Sequence, residues 1–213
     1  MHSLKLDFLG PPRIEVDGIP VDLQRHKALA MLAYLAVTAE EQHRDTLAAL
    51  FWPASNQSRA RASLRRDLSE LNKALGEGWL VLEQDTVGLH NDGIWLDVTQ
   101  FLSRLAECDQ PGRAMDDSLP RLKEAVELYR DDFLAGFTLT DCPDFDEWQF
   151  FQAETLRQAL SSALERLVET YGTQDEFTLA LPYGRRLLAL DPLHEPAHRQ
   201  LMWLYVHAGQ KAA

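Results

Sequence analysis

The stretch NQSRARASLRRDLSELNKAL, residues 56–75, decides how the rest of the chain is read. At about 100° per residue its Ala60, Leu64, Leu68, Leu71 and Leu75 fall on one side of a helix, while Ser55 (just ahead), Arg59, Ala62, Arg66, Ser69 and Lys73 gather on the other. Arg61 and Arg65 flank the apolar stripe, and no acidic residue lies between Arg59 and Arg66. The residues among these arginines are small, so the backbone can approach a grooved polyanion closely. A major-groove helix needs that combination: guanidiniums for phosphates and guanine edges, and little bulk to hold the helix away. An ordinary solvated amphipathic helix with a basic turn would show the same pattern, so the flanking segments decide between the two.

Upstream, Leu4, Leu6 and Phe8 alternate with Lys5 and Asp7, and Ile14 and Val16 alternate with Arg13, Glu15 and Asp17, across a Gly10-Pro11-Pro12 break. Two short antiparallel strands follow from that pattern. Residues 24–37 take up a helical period through Ala28, Leu29, Leu32, Leu35 and Ala36, and residues 45–52 form a shorter helix burying Leu47, Leu50 and Phe51. Pro53 stops it, Ser55 or Asn56 caps the arginine helix, and Gly76 ends that helix. Downstream, Trp79-Leu80-Val81-Leu82 and Val87-Gly88-Leu89-His90 enclose a polar tip, Glu83-Gln84-Asp85-Thr86, which reads as a hairpin. Strands, three helices and a terminal hairpin, in that order, describe a winged helix-turn-helix domain over residues 1–95.

From Asp97 onward the pattern is helical. Phe101, Leu102 and Leu105 mark one helix; residues 119–134 mark another, with Leu122, Ala125, Val126 and Tyr129 inward; a long one spans 145–171. Pro111-Gly112 and Cys142-Pro143 punctuate them. Leu167, Val168 and Tyr171 recur as Leu201, Met202 and Tyr205 after one tetratricopeptide period of about 34 residues, with Ala180 and Asp191-Pro192 between. The expected class is therefore an α+β N-terminal winged helix-turn-helix followed by an all-α tetratricopeptide-like helical domain over 96–213. Residues 209–213 read as the start of a further helix that is cut off.

The chain has 213 residues, 46% hydrophobic and 25% charged, with a net charge of −12. The acid is unevenly placed: residues 1–95 hold 10 basic against 13 acidic residues, the remainder 11 against 20. Counterion release belongs to the contacted surface, so an acidic total leaves room for a local basic footprint. No apolar run approaches the roughly 18 residues of a membrane span, and the N-terminus lacks the pattern of a secretory signal, which makes the cytoplasm the expected location. Cys108 and Cys142 share no motif spacing and read as two packed thiols.

Chemistry-bearing motifs point away from catalysis. His194-Glu195-Pro196-Ala197-His198 satisfies HExxH, but Pro196 is tolerated only in a first turn, so His194 precedes the regular helix and the metal-binding i,i+4 face is not formed. The acidic run Asp141, Asp144, Asp146 and Glu147 lacks EF-hand spacing and reads as a helix start. The five tryptophans sit in apolar patterns and are expected in cores. Neither an enzyme nor a metal or cofactor site is expected.

Taken together, the motifs resemble the SARP-type bacterial transcriptional activators, which join an OmpR-like winged helix to a bacterial transcriptional activator domain. The carriers are LKLDFLGPPRIEVDG, QRHKALAMLAYLAV, LAALFWPAS running to ASLRRDLSELNKALG, the WLDVTQF junction, and ALDPLHEPAHRQLMWLYVHAGQKA. The resemblance implies that the 56–75 helix enters the major groove of double-stranded DNA, with phosphate contacts from Arg25, Lys27 and Arg44. It also implies that the helical half supplies oligomer contacts, such as a homodimer on DNA, and a surface for RNA polymerase. Two departures stand out: Asn72 replaces a common arginine, and the hairpin tip carries Glu83 and Asp85, leaving Thr86 and backbone amides for contact there. The expected DNA-binding residues are Arg59, Arg61, Arg65 and Arg66, with Ser63, Ser69 and Lys73 beside them, and Arg59 and Arg66 reaching base edges. The competing reading is a helical-repeat interaction module whose winged helix binds protein.

Overall fold

The computed structural model describes residues 2–90, 92–109 and 115–209. The break expected at Pro111-Gly112 and residues 210–213 lie outside them. The chain forms two compact units, Met1–Thr99 with Asp131–Ala153, and Gln100–Arg130 with Glu154–Ala213.

The first unit opens with β1 (Leu4–Asp7) paired antiparallel to β2 (Arg13–Val16), in the register Leu4 to Val16 and Leu6 to Ile14. Leu4 and Leu6 are buried, as the alternation requires. Two strands escaped the sequence reading here: β3 (Ile19–Pro20) pairs antiparallel to β2 at the sheet edge, and a later strand, Ile94–Leu96, runs parallel to β1 on its other side. Three helices follow, α1 (His26–Thr38), α2 (Arg44–Phe51) and α3 (Gln57–Leu75), with a two-residue strand β4 (Gln42–His43) between the first two. After α3, β5 (Leu80–Leu82) and β6 (Thr86–Leu89) form the expected hairpin, and β4 joins its β6 edge to make three strands. The strand beside β1 is β7. Met31, Leu32, Leu35, Leu47, Phe51, Leu64, Leu68 and Leu71 are buried in this unit.

The chain then enters α4 (Asp97–Cys108) and α5 (Met115–Leu128). The helix expected over 119–134 thus stops at Leu128, six residues early. Leu134 and Asp141 have positive φ, 52° and 65°, which an L-residue helix cannot accommodate. The residues from Asp131 return to the first unit as an irregular segment. Phe133 bridges Leu9 and Gly10, and the Leu134 N–H donates to the Phe8 carbonyl at 2.8 Å. Phe145, in the first turn of the long helix α6 (Pro143–Thr173), sets its ring at a tilt against Phe51 at 5.4 Å, while Trp148 meets Tyr34 at 4.9 Å. The Cys142 thiol donates to the Phe51 carbonyl at 3.3 Å.

In the second unit, α7 (Phe177–Leu190) and α8 (Glu195–His207) pack as a pair, Phe177 meeting Trp203 and His207. Gly184 of α7 lets them approach: a β-carbon there would sit 3.1 Å from Leu201. Arg186 caps the end of α5, donating to the Val126 carbonyl at 2.9 Å and to that of Tyr129. Trp79 is buried as expected, but Trp203 is substantially exposed, a departure from the core placement read for all five tryptophans. Among the described residues no helix is long and apolar enough to cross a membrane.

Candidate nucleic-acid interface

α3 starts where the sequence places it: the Asn56 side chain accepts the Arg59 N–H at 3.0 Å, satisfying one of the orphan donors of the first turn. Its end is set by Gly76, whose φ of 88° suits glycine. Ala60, Leu64, Leu68, Leu71 and Leu75 are buried together, which leaves Arg59, Arg61, Arg65, Arg66, Ser69 and Lys73 exposed and Ser63 half-buried. The stripe contains one member that apolar patterning misses, Asp67, only 4% exposed.

The candidate cations divide into engaged and free groups. Arg25, at the α1 N-cap, pairs with Asp67 at 2.5 Å and thereby supplies the buried carboxylate with its partner. Lys27 donates to the Phe51 carbonyl at the end of α2 and lies 5.2 Å from the Trp52 ring centroid. Arg44 donates through Nε and Nη2 to the Glu83 carbonyl at 3.1 and 2.9 Å, tying α2 to the hairpin. Arg61 grips Asp45 through two hydrogen bonds of 2.6 Å. That grip holds the Asp45 carboxyl below the usual carboxylate range and the guanidinium above its own. Thr86 is likewise occupied, donating to Glu41 at 2.8 Å. Among the described residues Arg59, Arg65, Arg66 and Lys73 have neither an ion pair nor a side-chain hydrogen bond.

Two concavities flank α3. One, toward the hairpin, is lined by Arg44, Asp45, Arg61, Arg65, Glu83 and Asp85, so its charges are mixed. The other, toward α1, is lined by Arg25, Lys27, Ser63 and Arg66 together with Thr138 and Thr140. Sequence patterning found these side chains but not their partners. Asp45 carries no signal before the fold brings α2 against α3.

The HExxH residues are engaged in local backbone contacts. His194 Nδ1 accepts the Ala197 N–H at 3.1 Å as the α8 cap, and His198 Nε2 lies 2.8 Å from the Pro192 carbonyl. Among the described residues no group of three or more His, Cys, Asp or Glu could hold a metal ion.

A strand-bearing N-terminal unit thus carries an arginine helix on its surface, and the chain continues into helices. Residues 96–213 match the bacterial transcriptional activator domain family. The chain belongs to that family. Its fold is similar to that of Mycobacterium tuberculosis EmbR, solved in complex with a low-affinity phosphopeptide, with a TM-score of 0.75 and 21% identity. The match covers 99% of this chain and 56% of that one, so the chain spans little more than half the length of EmbR. No curated protein matches the sequence.

Proposed function

We propose that residues 1–95 bind double-stranded DNA sequence-specifically as a winged helix-turn-helix, with α3 in the major groove and the β5–β6 hairpin as the wing. One observation carries this: among the described residues, Arg59, Arg66 and Lys73 stand exposed and without an ion pair along one face of α3, over buried leucines, with Arg65 exposed and without an ion pair on its flank. Of the carboxylates around α3, Asp67 is matched by Arg25 and Asp45 by Arg61, while Glu70 on the helix and Glu83 and Asp85 at the hairpin tip are exposed. Free cations lose no internal partner on meeting phosphate, so each releases counterions at full strength. Arg59 and Arg66 are assigned to base edges, Arg65 and Lys73 to phosphates, and Ser63 and Ser69 to additional hydrogen bonds. Arg25, Lys27 and Arg44 act at the margins, where each can contact phosphate only while also serving a structural partner.

The remainder, 96–213, is read as a tetratricopeptide-like bacterial transcriptional activator domain that supplies homodimer contacts on DNA and a surface for RNA polymerase in the cytoplasm. Ala180 and Leu187, buried between helices, support the repeat reading. A gel-shift titration across salt tests the DNA assignment. A steep linear fall of log affinity with log salt is expected, and its absence would leave a protein-binding winged helix instead.

A further inference from the structure

Arg61 differs from its neighbours because another helix holds it. Asp45 stands in the first turn of α2, and its two oxygens take Nε and Nη2 of Arg61 side-on, at 2.6 Å each. A guanidinium has five N–H donors in a fixed plane. The side-on grip uses the inner edge and leaves the outer one, where parallel N–H bonds of Nη1 and Nη2 point away together. The two-point grip favours one rotamer of this exposed side chain, which lowers the rotamer entropy to be lost on binding.

The pair also has almost no net charge, which makes it a poor ligand for phosphate compared with Arg65 one turn away. Its remaining capacity is directional: two adjacent donors, fixed in position, suited to two adjacent neutral acceptors. In duplex DNA that partner is the major-groove edge of guanine, O6 beside N7. Arg61 lies in the N-terminal part of α3, the end of a recognition helix that reaches base edges. We propose that Asp45 is a positioning residue that makes Arg61 a guanine-reading side chain, in addition to the free arginines. This inference rests on the DNA-binding reading above.

The test is selection of bound duplexes from a random pool with the whole chain, its Asp45→Asn variant and its Arg61→Lys variant. The wild type should enrich a site containing a guanine that both variants accept less strictly, while the other positions persist. Affinity for the selected site should fall roughly tenfold in each. Arg61→Lys keeps the charge and loses the fork, so retention of a wild-type salt slope alongside the relaxed position separates positioning from a general loss of fold. An Asp45→Asn protein that keeps the same base preference and binds all duplexes more tightly would overturn the proposal, since Asp45 would then only damp charge. If the wild type enriches nothing and shows no salt slope, the DNA reading itself falls, and this inference with it.

Discussion

The carboxylate of Asp97 accepts the backbone N–H of Leu9 at 2.7 Å, across 88 residues of sequence. It also accepts those of Phe8 at 2.9 Å and Val98 at 2.8 Å, so one buried side chain joins the end of β1 to the start of α4. Burial outweighs these donors and pushes its pKa up from 3.8 to about 6. The folded state therefore binds this proton more tightly than the unfolded chain. Its contribution to stability is complete below about pH 4 and is lost as pH rises through 6, a change of about 3 kcal/mol. Urea unfolding between pH 4 and 7 should show that loss in the difference between wild type and Asp97→Asn. The amide variant should lack this component of the pH dependence while keeping that of the other titrating groups, and be less stable overall by about 1–3 kcal/mol because its NH2 group cannot accept.

Free and engaged arginines should respond differently to removal. Arg59→Ala and Arg66→Ala should each lower the salt slope of DNA binding by about 1 if the contact is to phosphate, or relax one base position if it is to a base edge. Neither should affect folding. Arg25→Ala should act mainly on stability, because it leaves Asp67 buried without its partner, at a cost of about 1–3 kcal/mol. Urea midpoints and gel shifts on the same preparations check this, and an unchanged midpoint for Arg25→Ala would contradict it.

The hairpin tip should weaken binding. Glu83 and Asp85 are exposed and share a concavity with Arg61 and Arg65. Glu83→Gln with Asp85→Asn should raise affinity for DNA at low ionic strength, with the gain shrinking as salt screens these charges. An unchanged affinity across the salt range would place the tip away from the nucleic acid.

The HExxH residues should behave as helix-end chemistry. His194→Ala should lose about 1 kcal/mol with the cap it provides to α8. Zinc or a chelator should leave the melting temperature of the wild type unmoved. A metal-dependent shift of several degrees would show that the ring nitrogens can be recruited.

The elements that carry the candidate interface were legible in the sequence because each had a local signature. α3 has a stripe of leucines, an asparagine cap and a terminating glycine; the hairpin has apolar runs around a polar tip. The two-residue strands β3 and β4 have too few residues for any period, and β7 pairs with β1 across most of the first unit. The overlong 119–134 helix came from apolar spacing that persists through Phe133 and Leu134, whose side chains are indeed buried but on a non-helical backbone. For the site, patterning identified which cations face outward on α3. It could not show that Arg25, Arg44 and Arg61 are already bonded, since each partner comes from a distant element.

The return of residues 131–153 to the first unit limits how this gene can be divided. A fragment ending before Asp97 would lack the Phe133 backbone that bridges Leu9 and the Phe145 ring that meets Phe51, and would present an oily, uncovered surface prone to aggregation. Recombination that swaps the N-terminal half between regulators would need to carry the later insert with it. On the DNA-binding reading proposed above, a new target sequence is reached more easily by point changes along α3 than by exchange of modules.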